Sequence, residues 1–139
     1  MTAAPVSDAD LIEHSLLAAA EADPGDSLWR DIFERFFDEF PDRRSSFYSL
    51  EAAGPRMVNE TLGMLHGLAQ EERWVWYQLS SLVFTHRNYG DLPLAEYDAF
   101  IDRTIDALSS LAVAAWTADC SAAWSRQAGR LKAMIREAR

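Results

Sequence analysis

The chain has 139 residues, enough for one domain and too few for two. Hydrophobic residues make up 49% and charged residues 25%, a globular balance that excludes disorder over most of the length. With 13 Lys+Arg against 22 Asp+Glu the net charge is −9, which argues against nucleic acid and anionic membrane as partners, because both need clustered cations.

In chain order the punctuation is helical. Residues 1–7 read as a short frayed extension, with Ser7 a plausible N-cap and Asp10 three residues on. Leu11, Ile12, Leu16 and Leu17 lead into an alanine-rich stretch ending near Ala22, and Asp23-Pro24-Gly25-Asp26 breaks it. Asp26 or Ser27 is expected to cap a second helix. Its apolar residues Leu28, Ile32, Phe33, Phe36, Phe37 and Phe40 follow helical spacing and predict deep burial.

Pro41 stops that helix and opens one or two turns up to Phe47. Tyr48 to Ala53 reads as a loop, and Gly54-Pro55 launches a third helix carrying Met57, Val58, Leu62, Leu65 and Leu68. Glu71-Glu72 put acid near the start of a fourth, which runs through Leu82 and His86 and ends at Asn88-Tyr89-Gly90. Pro93 begins the longest pattern, closing at Trp116, and Thr117 opens the last helix. The expected class is all-α, with about six to seven helices in one domain over 1–139 and no strand.

One cysteine, Cys120, excludes an intramolecular disulfide and a multi-Cys zinc site. It reads as a small packed residue more readily than as a reactive thiol at a helix start. No apolar run reaches the ~18–20 residues of a membrane span, and MTAAPVSDAD lacks the basic end and apolar stretch of a signal peptide. A soluble, cytoplasmic protein is expected. There is no phosphate loop, nucleophile elbow, His-Glu-x-x-His pair or forced pair of carboxylates, so catalysis by side chains alone is poorly supported.

Of the three histidines, His14 and His66 have no partner pattern. His86 closes an apolar helix and precedes Tyr89-Gly90. Before it come the Phe-rich helix and Phe-Pro-Asp-Arg-Arg-Ser-Ser-Phe (40–47). After it come Tyr97-x-x-Phe100, Trp116-Thr117 and Ala123-Trp124. In this order and separation, from about Leu11 to Ile135, the chain resembles the globins, most of all the single-domain bacterial haemoglobins.

The resemblance implies a globin fold around haem b, with His86 as the proximal iron ligand and its other ring nitrogen donating to a carbonyl or carboxylate. Phe47 would pack on the haem face, and Tyr97 would lie beneath His86. Phe33, Phe47, Gly54 (or Pro55) and Val58 would line the distal side, with Leu82 and Phe100 completing the pocket. None of the four distal residues offers a side-chain donor, although Tyr48, Arg56 or Asn59 could reach in. Met57 and Met64 could be second axial ligands but read more simply as packing. Arg43, Arg44 and Arg87 would meet propionates or stay solvated.

The implied function is reversible binding of a diatomic gas (O2, CO or NO) at five-coordinate iron, for gas handling or sensing. NO dioxygenation or peroxidation as a side activity would need an external reductase. The oligomeric state stays open between monomer and homodimer; as in globins, the last two long helices could pair across a dimer. Two rivals stand beside it: a haem-free interaction or sensor module of the same fold, and a helix bundle binding an apolar ligand.

Overall fold

The computed structural model describes residues 6–139; of the expected N-terminal extension, 1–5 lie outside the described residues. The fold is all-α. Among the described residues six α-helices follow one another: α1 (Asp8–Ala22), α2 (Leu28–Glu39), α3 (Leu50–Ala69), α4 (Trp74–His86), α5 (Leu94–Leu111) and α6 (Ala118–Ala138). Short 3-10 segments, Pro41–Ser46 and Val113–Ala115, follow α2 and α5. Among the described residues there is no named strand, and no helix is long and apolar enough to cross a membrane.

The caps explain where the helices begin. Ser7 accepts from the Asp10 amide, Ser49 from Ala52 and Thr117 from Cys120, each filling one of the amides a helix start leaves unpaired. α2 differs from expectation. Ser27 holds the cap position without a side-chain cap bond. Asp23 does the work from outside: its carboxylate accepts from the Ser27 amide and hydroxyl and from the Leu28 amide, at 2.9, 2.8 and 2.9 Å. Those bonds hold the Asp23 carboxyl below the usual aspartate range, the Ser27 amide first.

α3 also departs from the expected boundary. The segment expected to be a loop up to Ala53 is helical from Leu50, and Pro55 lies inside the helix. Pro55 falls in the second turn, where its missing N–H gives up the bond an amide would make to the Glu51 carbonyl. The Ser49 cap and the helix-favouring Leu50-Glu51-Ala52-Ala53 outweigh it. Glu71 and Glu72 lie just before the start of α4, as expected, and Glu71 bonds to Arg130 of α6. The pattern expected to run from Pro93 to Trp116 is interrupted after Leu111, so α6 is the longest helix.

Two apolar clusters form. One gathers α1, the second half of α3, α4, α5 and α6 around Leu65, Leu79, Leu108, Trp124 and Leu131. The other is aromatic and joins α2 to the first half of α3 and to α5: Trp29, Ile32, Phe33, Phe36, Phe37 and Val58, with Phe47 and Phe100 against them. α1 and α6 close the first cluster. There Trp124 Nε1 donates to Ser15 Oγ at 2.9 Å, and Ser15 donates to the Ile12 carbonyl at 2.7 Å. All three residues are fully buried, so the indole N–H is satisfied where water cannot reach it. At the end of the same seam Asp8 accepts from Arg126 and Gln127.

Close approach fixes two glycines. A Cβ on Gly54 would lie 2.5 Å from Trp29 Cε3, and one on Gly67 would lie 2.7 Å from Trp74 Cζ2. Gly54 therefore sets the α2–α3 crossing, and Gly67 lets α4 fold back on α3.

Candidate functional site

His86 is the last residue of α4 and is half-buried. Its Nδ1 lies 3.0 Å from the Tyr97 hydroxyl, with ring centroids 5.6 Å apart. The expected carbonyl or carboxylate partner is thus a phenol. Burial pushes the imidazole below its usual 6.5 and the Tyr97 phenol above its usual 10.0, so both are neutral at pH 7. When Nδ1–H donates to the Tyr97 oxygen, Nε2 keeps its lone pair and is free to ligate. Among the described residues Nδ1 is the only engaged nitrogen of His86.

One turn along α5 from Tyr97 stands Phe100, whose ring centroid is 5.2 Å from that of Phe33. Phe33 is the hub of the aromatic cluster: Phe47 meets it edge-on at 5.5 Å, and Phe37 lies at 5.7 Å. Val58 is buried in the same cluster. α5 therefore reaches His86 with one side chain and the aromatic cluster with the next on that face. Leu82 and Tyr97 pack against the first apolar cluster, so the candidate residues divide between the two.

Several candidates lie elsewhere. Gly54 faces the Trp29 ring instead of open space, because α3 crosses α2 there. Tyr48 is fully exposed. Arg43 is turned to Glu96 in a two-pronged bond from Nε and a second guanidinium nitrogen, which commits that edge of the guanidinium to the carboxylate. Glu96 is buried at the start of α5, so this pair ties the 3-10 segment to the helix that carries Tyr97. Arg44 lies over the Phe37 ring, and Arg87 over that of Phe84. Cys120 is buried, and burial pushes its thiol up, which makes it a packing residue. His66 has a buried Nε2 with no hydrogen-bond partner.

The space around these residues is uneven. A groove of about 630 Å³ runs along α3 past Pro55, Arg56, Asn59 and Gly63, and touches α4 at Trp74 and Gln78. Nothing in the sequence signalled it except the lack of a side chain at Gly63. The cavity that touches His86 is separate, holds only about 10 Å³ and is bounded by Val83, Gly90, Leu92 and Tyr97. As a haem ligand His86 fits in its chemistry: neutral, oriented through one nitrogen and open at the other. The space against it does not fit a macrocycle. Among the described residues no three His, Cys, Asp or Glu converge as a protein-only metal site.

No family model, no curated protein and no solved structure matches this chain.

Proposed function

We propose that the chain is a globin-like protein that binds haem b through His86, with a diatomic gas as the ligand of the bound iron. One observation carries the reading. α5 offers Tyr97 to His86 Nδ1 at 3.0 Å and, a turn later, Phe100 to the Phe33–Phe47 cluster. A helix that orients an imidazole and also walls an apolar aromatic surface is what a single-histidine cofactor site requires. Haem iron would supply a coordination position for O2, CO or NO.

This chain's own residues would do three things. Tyr97 would hold the imidazole ring in place and fix its tautomer. The aromatic cluster and Val58 would keep water from the distal side. With no side-chain donor among Phe33, Phe47 and Val58, that side would favour O2 little over CO and NO. The reading requires the groove beside α3 to extend past Gln78 to His86 when haem enters, and any redox turnover would need an external reductase.

The small void at His86 favours a second reading, a haem-free helical module that keeps the arrangement for protein contact. Haem titration separates the two. In the first reading one equivalent of haem gives a sharp Soret band that shifts under CO after reduction. His86→Ala then loses most haem binding, while His14→Ala and His66→Ala keep it. No saturable binding, or equal binding by the His86 variant, selects against the haem reading.

A further inference from the structure

Among the described residues the outward face of α4 stands apart. Trp74, Tyr77, Ser81 and Phe84 recur at the i, i+3, i+7, i+10 spacing of one helix stripe. Their aromatic members are open to solvent, at 42%, 73% and 70% of full exposure. Single exposed apolar residues are ordinary, but three aromatics aligned on one helix stripe are the kind of patch a partner would cover. α4 is also the one α-helix without a carboxylate: Trp74–His86 contains no Asp, Glu, Lys or Arg, whereas each of the other five carries at least two acids. The hydroxyls of Ser80 and Thr85 bond back to carbonyls of their own helix, so covering them strands no donor.

We propose that this face pairs α4 with α4 of a second copy of the chain, antiparallel about a two-fold axis at Ser80–Ser81. Charge selects this occupant. At −9 net charge two copies repel, and the face without carboxylates is where they meet at least cost. Ends and centre are also complementary. With Ser80 opposite Ser81, Tyr77 stands opposite the second copy's Phe84, and Trp74 opposite its Arg87. Arg87 is exposed and carries its guanidinium 5.9 Å above Phe84 in the single chain. Across the axis it reaches an aromatic face beside the α3 groove, whose lining includes Glu51 and Glu60. Two serines at the centre let the helices approach closely. Anionic lipid is disfavoured, because only Arg73 and Arg87 flank the stripe on an acidic molecule. α5 and α6, the helices that could pair in a globin-type dimer, present none of the large apolar side chains found exposed.

The face is about 20 Å long and one helix wide, small among interfaces, so the dimer depends on concentration. Sedimentation velocity of the purified chain from roughly 1 µM to roughly 1 mM tests it. The expected result is a rise in mass from 15.7 kDa toward twice that value. Phe84→Glu and Tyr77→Glu should each weaken association at least about tenfold, because every substitution occurs twice in a two-fold interface and puts acid against apolar surface. Their helical circular dichroism should be unchanged. Ser81→Cys, whose thiol is the accessible one because Cys120 is buried, should cross-link on oxidation without aggregation. A monomer at every concentration overturns the proposal. So does a dimer indifferent to both glutamate variants, or a chain that stays monomeric but floats with anionic vesicles.

Discussion

Replacing Gly54 with alanine tests whether this position faces α2 or an open pocket. The added Cβ would sit 2.5 and 2.8 Å from Trp29 Cε3 and Cζ3, and 3.4 Å from Phe33 Cε2. Carbon atoms pack best about 3.5–4.0 Å apart, so the indole must move by about 1 Å. Trp29 is only 7% exposed and is wedged among Ile32, Phe33 and Val58, so the movement spreads into the aromatic cluster. Overpacking of this kind costs about 1–3 kcal/mol. Alanine recovers about 1 kcal/mol of helix propensity, leaving Gly54→Ala neutral to about 2 kcal/mol destabilised.

Gly63 provides the control on the same helix. Its Cβ would meet nothing within 4 Å, so Gly63→Ala should keep the whole gain of about 1 kcal/mol. The two variants should differ by about 1–3 kcal/mol in urea unfolding, or by roughly 4–12 °C in Tm for a chain of this size. A Gly54→Ala protein as stable as Gly63→Ala would refute the packing argument and return Gly54 to an open distal pocket. If the argument holds, shrinking the ring with Trp29→Leu should recover part of the loss in the Gly54→Ala background, and the double-mutant coupling measures it.

Two further outcomes follow from the polar contacts. Asp23→Ala should cost about 1–2 kcal/mol at neutral pH, whereas Asp26→Asn, at a φ of 50° that asparagine tolerates, should stay within about 0.5 kcal/mol. Because the folded Asp23 carboxyl lies below its usual 3.8, its contribution is complete above that value and is lost as pH falls through the folded value. The gap between wild type and Asp23→Ala should therefore close in acid, and a constant gap would show that the carboxylate is not the cap. At His86 the folded imidazole lies below 6.5, so above 6.5 both states are neutral. Below it the unfolded chain protonates first and stability falls; His86→Gln should flatten that slope. An NMR titration that puts His86 at or above 6.5 would contradict the burial argument, and Tyr97→Phe, which leaves Nδ1 without its partner, should cost about 1 kcal/mol.

The helices were legible because their signals are local. The Phe spacing of α2, the threonine that caps α6 and the break at Asp23–Asp26 are read within one or two turns. The errors arose where a local signal competed with another. Gly54-Pro55 reads as a helix start, but a serine five residues earlier caps a sequence that favours helix strongly enough to carry a proline in its second turn. At α2 the sequence points to Asp26 or Ser27 as the cap, whereas Asp23 reaches the helix start through three bonds across a turn.

At the candidate site, Phe33, Phe47, Val58 and Phe100 meet in space, and so do His86 and Tyr97. Gly54 could not be read, because its direction depends on the angle at which α2 crosses α3. The Arg43–Glu96 pair spans 53 positions and carries no local pattern. The aromatic stripe of α4 was written in the sequence at helical spacing. Which face of α4 turns outward depends on α6, where Val75, Leu79 and Val83 enter the core.

The bond from Trp124 to Ser15 joins positions 109 apart, and the cluster around it holds residues from α1, α3, α4, α5 and α6. That placement dictates an order of assembly. As the chain is made, α1 meets α3 and α5 before α6, the helix that completes its burial, has been synthesised. α2, α3 and α5 can begin their aromatic cluster in the meantime, since none of its members comes from α6. The larger core closes only when α6 arrives and the most distant contacts form, after the greatest loss of loop entropy. Until then Ile12 and Ala19 on α1 and Val75 and Leu79 on α4 lack the part of their surroundings that α6 supplies, which leaves the first helix incompletely covered for longest in the nascent chain.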